Sequence, residues 1–172
     1  MSLSVKEIIS LAEKQLADSG VENAGGDAKS LYCYMTAIPE SKMVLEYQNV
    51  LQDFLCDRYF ELIDRRSSGE PLQYIVGNVS FMGYKFNVTP DVLIPRQDTE
   101  SVVESALAAI KASGAEKGDI LDLCCGSGAI GISLAGLLPG SSVTCSDISE
   151  KALAVAHSNA ELNEVNKKVS FS

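Results

Sequence analysis

Apolar residues recur at helical spacing through the first seventy positions, and then the rhythm of the chain changes. Ser4 followed three residues later by Glu7 forms a capping box, and Val5, Ile8, Ile9, Ala12 and Leu16 then mark one face of an amphipathic helix that Gly20 stops. A second helix is predicted over roughly Asp27 to Ala37, ended by Pro39. A third, longer one should carry Tyr47, Val50, Leu51, Phe54, Leu55 and Leu62 on one face. Three helices joined by short loops predict a small bundle over residues 1–70.

After Ser67-Ser68-Gly69 the segment Tyr74 to Thr89 is rich in Val, Ile, Phe and Tyr and is broken at Met82-Gly83, which predicts a β-hairpin or two short strands. Pro90 and Pro95 punctuate an extended stretch, so residues 71–97 read as a hairpin linker. A helix resumes at Asp98 with Val102, Val103, Leu107 and Ile110 apolar, and ends at Gly114. From Asp119 the order is strand (120–123), helix (128–138), strand (142–145), helix (149–163) and a strand beginning at Val169. Such alternation predicts a parallel sheet with right-handed crossovers. The fold class is α/β, with residues 98–172 forming the N-terminal part of the second domain.

Composition narrows the chemistry. The chain has 172 residues, 46% of them hydrophobic, and a net charge of −9. That charge argues against direct nucleic-acid binding, which needs clustered Lys and Arg to release counterions from phosphate. No apolar run approaches the roughly 20 residues that span a bilayer, and the opening segment is too charged for a secretory signal, so a cytoplasmic location without membrane attachment is expected. The five cysteines, Cys33, Cys56, Cys124, Cys125 and Cys145, contain no CxxC pair and accompany a single histidine, His157. Neither a disulfide framework nor a metal site is expected, and small size accounts for Cys124 and Cys125 in a tight turn.

The most informative stretch is Asp122-Leu-Cys-Cys-Gly126-Ser-Gly128-Ala-Ile-Gly131, placed where a strand turns into a helix. Glycine lets backbone approach a ligand there, and the helix N-terminus offers open N–H groups. The second strand ends at Asp147, 21 residues after Gly126, where a carboxylate can accept both ribose hydroxyls of an adenosyl cofactor. Gly126-x-Gly128-x-x-Gly131 also satisfies the dinucleotide fingerprint, which keeps an NAD-dependent dehydrogenase as the rival. Asp122 distinguishes the two. A carboxylate before the turn suits the sulfonium and ammonium of S-adenosylmethionine and would repel a pyrophosphate. Asp147 with Glu150 also fits a capping box, a structural role that can coexist with ribose binding.

Pro71-Leu-Gln73-Tyr74-Ile75-Val-Gly77, Phe81-Met-Gly83-Tyr-Lys-Phe86-Asn-Val88 and Val92-Leu93-Ile94-Pro95-Arg96-Gln-Asp-Thr99-Glu100 closely resemble the release-factor glutamine methyltransferase (HemK) family. DLCCGSGAIG and DISEKALAVAHSNAELN do so as well, and the match runs in order through nearly the whole chain. The resemblance implies a helical substrate-recognition domain linked to a Rossmann-like methyltransferase domain. It further implies transfer of a methyl group from S-adenosylmethionine to the side-chain amide nitrogen of the glutamine in the Gly-Gly-Gln loop of class I peptide chain release factors. Asp122, Cys124, Cys125, Gly126, Ser127, Gly128 and Asp147 would then hold the cofactor. The family commonly has Gly at the position of Cys124 and Thr or Ser at that of Cys125, and its Arg-Pro-Glu-Thr-Glu is Arg96-Gln97-Asp98-Thr99-Glu100 here.

The family's catalytic Asn-Pro-Pro-Tyr, which follows its fourth strand, does not occur in these residues. The catalytic residues are therefore unknown, and the chain alone is expected to be inactive. The strand around 120–123, flanked in the family by strands two and four, should present a bare edge that favours self-association or leaves the second half poorly ordered. A protein-binding module without catalysis is the remaining alternative.

Overall fold

The computed structural model describes residues 3–114 and 118–172. Its contacts divide the chain into two compact units, Met1–Val76 and Gly77–Ser172.

In the first unit, α1 (Val5–Asp18) begins with the expected capping box: Glu7 N–H donates to Ser4 Oγ, and Ser4 N–H to the Glu7 carboxylate. Its buried residues are Val5, Ile8, Ile9, Ala12 and Leu16, the five that the periodicity marks. The second helix, α2 (Ala24–Thr36), starts three residues before the expected Asp27 and ends with Ala37 in the left-handed conformation, φ 56°. The long third helix is not formed. Instead α3 (Met43–Glu46) follows a 3₁₀ turn at Glu40–Lys42, and α4 (Asp53–Ser67) begins only after an irregular stretch. Val5 N–H donates to Asn49 O at 2.8 Å and Lys6 N–H to Tyr47 O at 3.2 Å, so carbonyls of the irregular stretch satisfy open donors in the first turn of α1. Continuing the helix would withdraw them. Val50 and Phe54 are consequently exposed, while Tyr59 and Ile63 fill the core. A single turn, α5 (Leu72–Val76), closes the unit where the sequence pattern favours a strand from Tyr74.

The second unit opens with the hairpin β1 (Asn78–Phe81) and β2 (Tyr84–Asn87), whose turn residues Met82 and Gly83 both have positive φ. Left-handed residues at both central positions match the twist of the flanking strands. The long helix α6 (Gln97–Ala112) supports the hairpin, because its Glu100 carboxylate accepts the Met82 N–H at 2.6 Å. Then β3 (Asp119–Leu123), α7 (Ala129–Leu137), β4 (Ser142–Ser146), α8 (Glu150–Leu162) and β5 (Val169–Phe171) follow in the expected alternation. The three strands are parallel in the order β3-β4-β5, with Asp122 opposite Cys145 and Cys145 opposite Phe171. Phe81, Phe86, Val103, Ile132, Val143 and Ala156 form the centre of the core. Helix α7 is apolar all round and buried for most of its length, as a helix wrapped by sheet, hairpin and neighbouring helices requires. At the end of the sheet, Leu121 and Leu123 of β3 are 62% and 66% exposed.

Two substitutions test these cores. Tyr59 is fully buried and its hydroxyl donates to Ala28 O at 2.8 Å, so Tyr59→Phe, which removes this bond while the carbonyl keeps its place in the α2 ladder, should cost about 1 kcal/mol in urea unfolding. The Ser133 hydroxyl in α7 is buried with no partner among the described residues, so Ser133→Ala should be neutral or stabilising by about 1 kcal/mol. A loss of stability in the second variant would contradict this packing.

Candidate cofactor-binding site

The turn from β3 into α7 is held by side chains from three elements. Gly126 N–H donates to Asp147 Oδ2 at 2.8 Å, and the other oxygen of Asp147 accepts Ser149 N–H at 3.0 Å. Gly131 N–H, in the first turn of α7, donates to Asp122 Oδ2 at 2.8 Å. Asn159, fully buried in α8, donates to Ser127 O at 2.9 Å and Asn87 O at 3.0 Å, while its Oδ1 accepts Asn87 N–H at 2.7 Å. This amide therefore ties the turn to the hairpin, a role the sequence reading missed. Asn159 lies one helical turn before Asn163, which bonds Lys85 O at 2.8 Å. Paired asparagines on an otherwise alanine-rich buried face were the available signal.

Close packing accounts for two of the glycines. A Cβ on Gly128 would lie 2.7 Å from Ile132 Cδ1 and 3.1 Å from Ala156 Cβ, and one on Gly131 would lie 2.7 Å from Cys145 Sγ and 2.9 Å from Asp122 Oδ2. Gly126 is different: its φ is +55°, yet nothing lies within 4 Å of where its Cβ would be. A glycine facing open space at the mouth of a turn leaves room for a ligand against the backbone.

That space is a cavity of about 510 Å³, lined on one side by Cys124, Cys125, Gly126 and Ser127 and on the other by the segment from Leu93 to Thr99. The volume is within the usual range for cofactor sites. Of the sequence-predicted residues, Cys124, Cys125, Gly126 and Ser127 line it, whereas Gly128 is buried beneath the turn and Asp122 and Asp147 are not among its lining residues. Asp122 was expected to face a cationic ligand. It is instead 8% exposed and turned onto Gly131, where the positive end of a helix stabilises a carboxylate. Burial pushes its pKa up, the Gly131 hydrogen bond opposes this, and the charge of Asp147 adds to the rise. Hydrogen bonds from Ser149 and Gly126 hold Asp147 below the ordinary carboxylate range. The cap of α8 is Ser149, whose Oγ accepts Ala152 N–H, not Asp147.

The sequence motifs miss the opposite wall. Leu93 is 72% exposed beside the cavity, and Arg96 and Asp98 place a cation and an anion at its rim. A second cavity, about 590 Å³ in the first unit, contains Asp27 and Arg66, but these pair with each other at 2.7 Å. His157 is exposed, 3.6 Å from Glu161. Among the described residues no cluster of His, Cys, Asp and Glu could hold a metal, and no helix is long and apolar enough to cross a membrane.

The two aspartates give the turn opposite pH dependences. A carboxylate with a depressed folded pKa stabilises the fold above its unfolded pKa, so the Asp147 clasp should persist through neutral pH and be lost only as pH falls through its lowered value. Asp122, with a raised folded pKa, has an ionised form that costs stability, a cost relieved on acidification. Amide hydrogen exchange at Gly126 should therefore accelerate below the ordinary carboxylate range in the native protein, whereas Asp147→Asn should show fast, nearly pH-independent opening after correction for intrinsic exchange. An unchanged Gly126 in that variant would contradict the clasp.

The family model described as the PrmC N-terminal domain matches residues 7–77, and the methyltransferase small domain matches residues 101–172. Over 158 residues the chain is 39% identical to a release factor glutamine methyltransferase of Moorella thermoacetica, covering 92% of this chain and 55% of that protein. Proteins of the same name from Chlorobaculum tepidum and Streptomyces coelicolor are 34% and 37% identical, covering 98% and 96% of this chain and 58% and 57% of theirs. A tRNA (uracil-54, C5)-methyltransferase of Pyrococcus abyssi, solved with S-adenosyl-L-homocysteine, aligns over 55% of this chain and 23% of that one, with TM-score 0.44 and 24% identity. The chain thus spans little more than half the length of the curated relatives it matches. With an N-terminal helical unit and the first part of a Rossmann-like α/β unit each matched by its own domain model, the chain belongs to the family of release factor glutamine methyltransferases.

Proposed function

We propose that this chain supplies the cofactor-binding part and the helical recognition domain of an S-adenosylmethionine-dependent methyltransferase that modifies the glutamine side-chain amide in the Gly-Gly-Gln loop of class I release factors. The observation that carries the reading is Gly126: a left-handed residue with open space where a side chain would be, set in a turn whose other glycines are closed by packing. Cys124 to Ser127 would line the methionyl side of the cofactor, and Asp147 would take the ribose using lone pairs left beside its two backbone bonds. Asp122 would act from beneath, through Gly131 and its charge. When bound, the cofactor supplies a methyl group activated by a sulfonium. The residues described here position that group and exclude water from it, and the catalytic side chains are not assigned.

The relatives named above are methyltransferases, and no sequence feature beyond the glycine spacing favours an NAD-dependent dehydrogenase. The acidic charge of the chain suits steering of a basic protein partner and a cytoplasmic setting. The 1–70 region, whose described residues bring together no cluster of acid, base and nucleophile, is assigned to release-factor affinity; residues 71–97 link it to the methyltransferase domain at 98–172. The edge of β3, with Leu121 and Leu123 exposed, is proposed to pair with a second copy when this chain is isolated.

Calorimetric titration should show S-adenosylhomocysteine binding and NADH not binding. Gly126→Val, which fills the open space at a left-handed position, should weaken that binding at least tenfold. Binding of NADH in place of S-adenosylhomocysteine would reverse the assignment. Light scattering should give a mass that rises with concentration, and Leu121→Lys with Leu123→Lys should abolish the rise. A strictly monomeric parent chain would dismiss the edge.

A further inference from the structure

The cavity of about 590 Å³ in the first unit is lined by residues at the ends of α1 and α4 and at the start of α2. Asp27, 6% exposed, is among them, and the ion pair it makes there is incomplete. Arg66 Nε donates to Asp27 Oδ2 at 2.7 Å, but Arg66 Nη1 turns to Glu70 O at 3.1 Å instead of to the second carboxylate oxygen. Asp27 Oδ1 therefore has no donor among the described residues. A buried carboxylate oxygen in that state calls for one, and the cavity is where it can enter.

The surroundings select a cation. Ser19 and Ser67 line the cavity at helix C-termini, and their carbonyls accept no hydrogen bond among the described residues. The last turn of α1 holds no basic residue, so the negative end of its dipole is uncompensated there. Glu22 adds an exposed carboxylate at the rim. Arg66 is the only cation among the described lining residues, and Asp27 already takes up its charge. Gly20 and Gly69, at φ +82° and +96°, have nothing within 4 Å of where a Cβ would be, which keeps the approach free of side chains. A guanidinium suits this set better than an ammonium, because its planar fork of donors serves several separate acceptors at once and is the more weakly hydrated group.

We propose that this cavity binds an arginine side chain of a protein partner, with Asp27 Oδ1 accepting from the guanidinium and the open end of α1 facing its charge. Resting on the assignment of the helical unit to release-factor affinity, that arginine belongs to the release factor. Val21 and Leu72, also in the lining, give the methylene stem an apolar surface to lie on. The net charge of −9 favours the approach of a basic segment. Every lining residue belongs to the first unit, so the contact supplies affinity without touching the cofactor site.

The test is titration of the whole chain with N-acetyl-arginine methylamide, followed through backbone amide shifts. Saturable shifts at Gly20, Asp27 and Gly69 are expected, with no response to the citrulline analogue, which keeps the shape and loses the charge. Asp27→Asn should weaken binding at least tenfold, with the amides of Tyr59 and Ile63 checking that the bundle stays folded. Glu22→Lys, an exposed change that leaves the buried pair alone, should weaken it at least threefold. Equal binding of the citrulline analogue, preference for the lysine analogue, undiminished binding by Glu22→Lys or the absence of saturable shifts would overturn the proposal. A class I release factor should displace the capped arginine. One that binds without displacing it overturns the proposal, whereas one that does not bind at all refutes the recognition reading, and the arginine titration still decides the cavity.

Discussion

Three backbone groups of one turn, Gly126 N–H, Ser127 C=O and Gly131 N–H, are each fixed by a side chain from a different element, and the second unit is arranged so that those side chains can reach them. Asp147 stands at the end of β4, Asp122 on β3 and Asn159 on α8, so both the parallel register and the placement of α8 are needed. A turn held in this way is preorganised, and a ligand lying along it need not spend binding energy ordering the backbone. Asn159 extends the constraint to the hairpin through Asn87, which makes the short two-stranded sheet part of the support of the site.

Electrostatics divides the labour between the two aspartates. Asp122 is buried against a helix N-terminus and its pKa is pushed up; Asp147, less buried and bonded by two N–H groups, is held down. Asp122 meets the turn only through the N–H of Gly131, at 2.8 Å, and does not line the cavity. Cys145 Sγ lies on the same side, 2.7 Å from where a Gly131 Cβ would be, so this corner of the turn admits no larger residue.

Much of this was legible because local and tertiary signals agreed. The capping box and five-residue stripe of α1, the Met82-Gly83 turn and the alternation from Asp119 each have one physical solution. The long third helix failed because α1 recruits the carbonyls of Tyr47 and Asn49, a tertiary demand that no periodicity encodes. The same limit explains the site: the glycine turn is visible as a motif, but the segment from Leu93 to Thr99 joins it around the cavity, and Cys145 comes to lie opposite Asp122, only through strand register and chain return.

The central claim is that a cofactor lies between the turn and the segment from Leu93 to Thr99. Backbone amide chemical shifts recorded during titration with S-adenosylhomocysteine test it most directly. The account predicts saturable shifts at Cys124 to Ser127 and in the amides of the 93–99 segment, with α2 and α4 unaffected. Shifts confined to the first unit, around Asp27 and Arg66, or no saturable shift at Gly126, would contradict it.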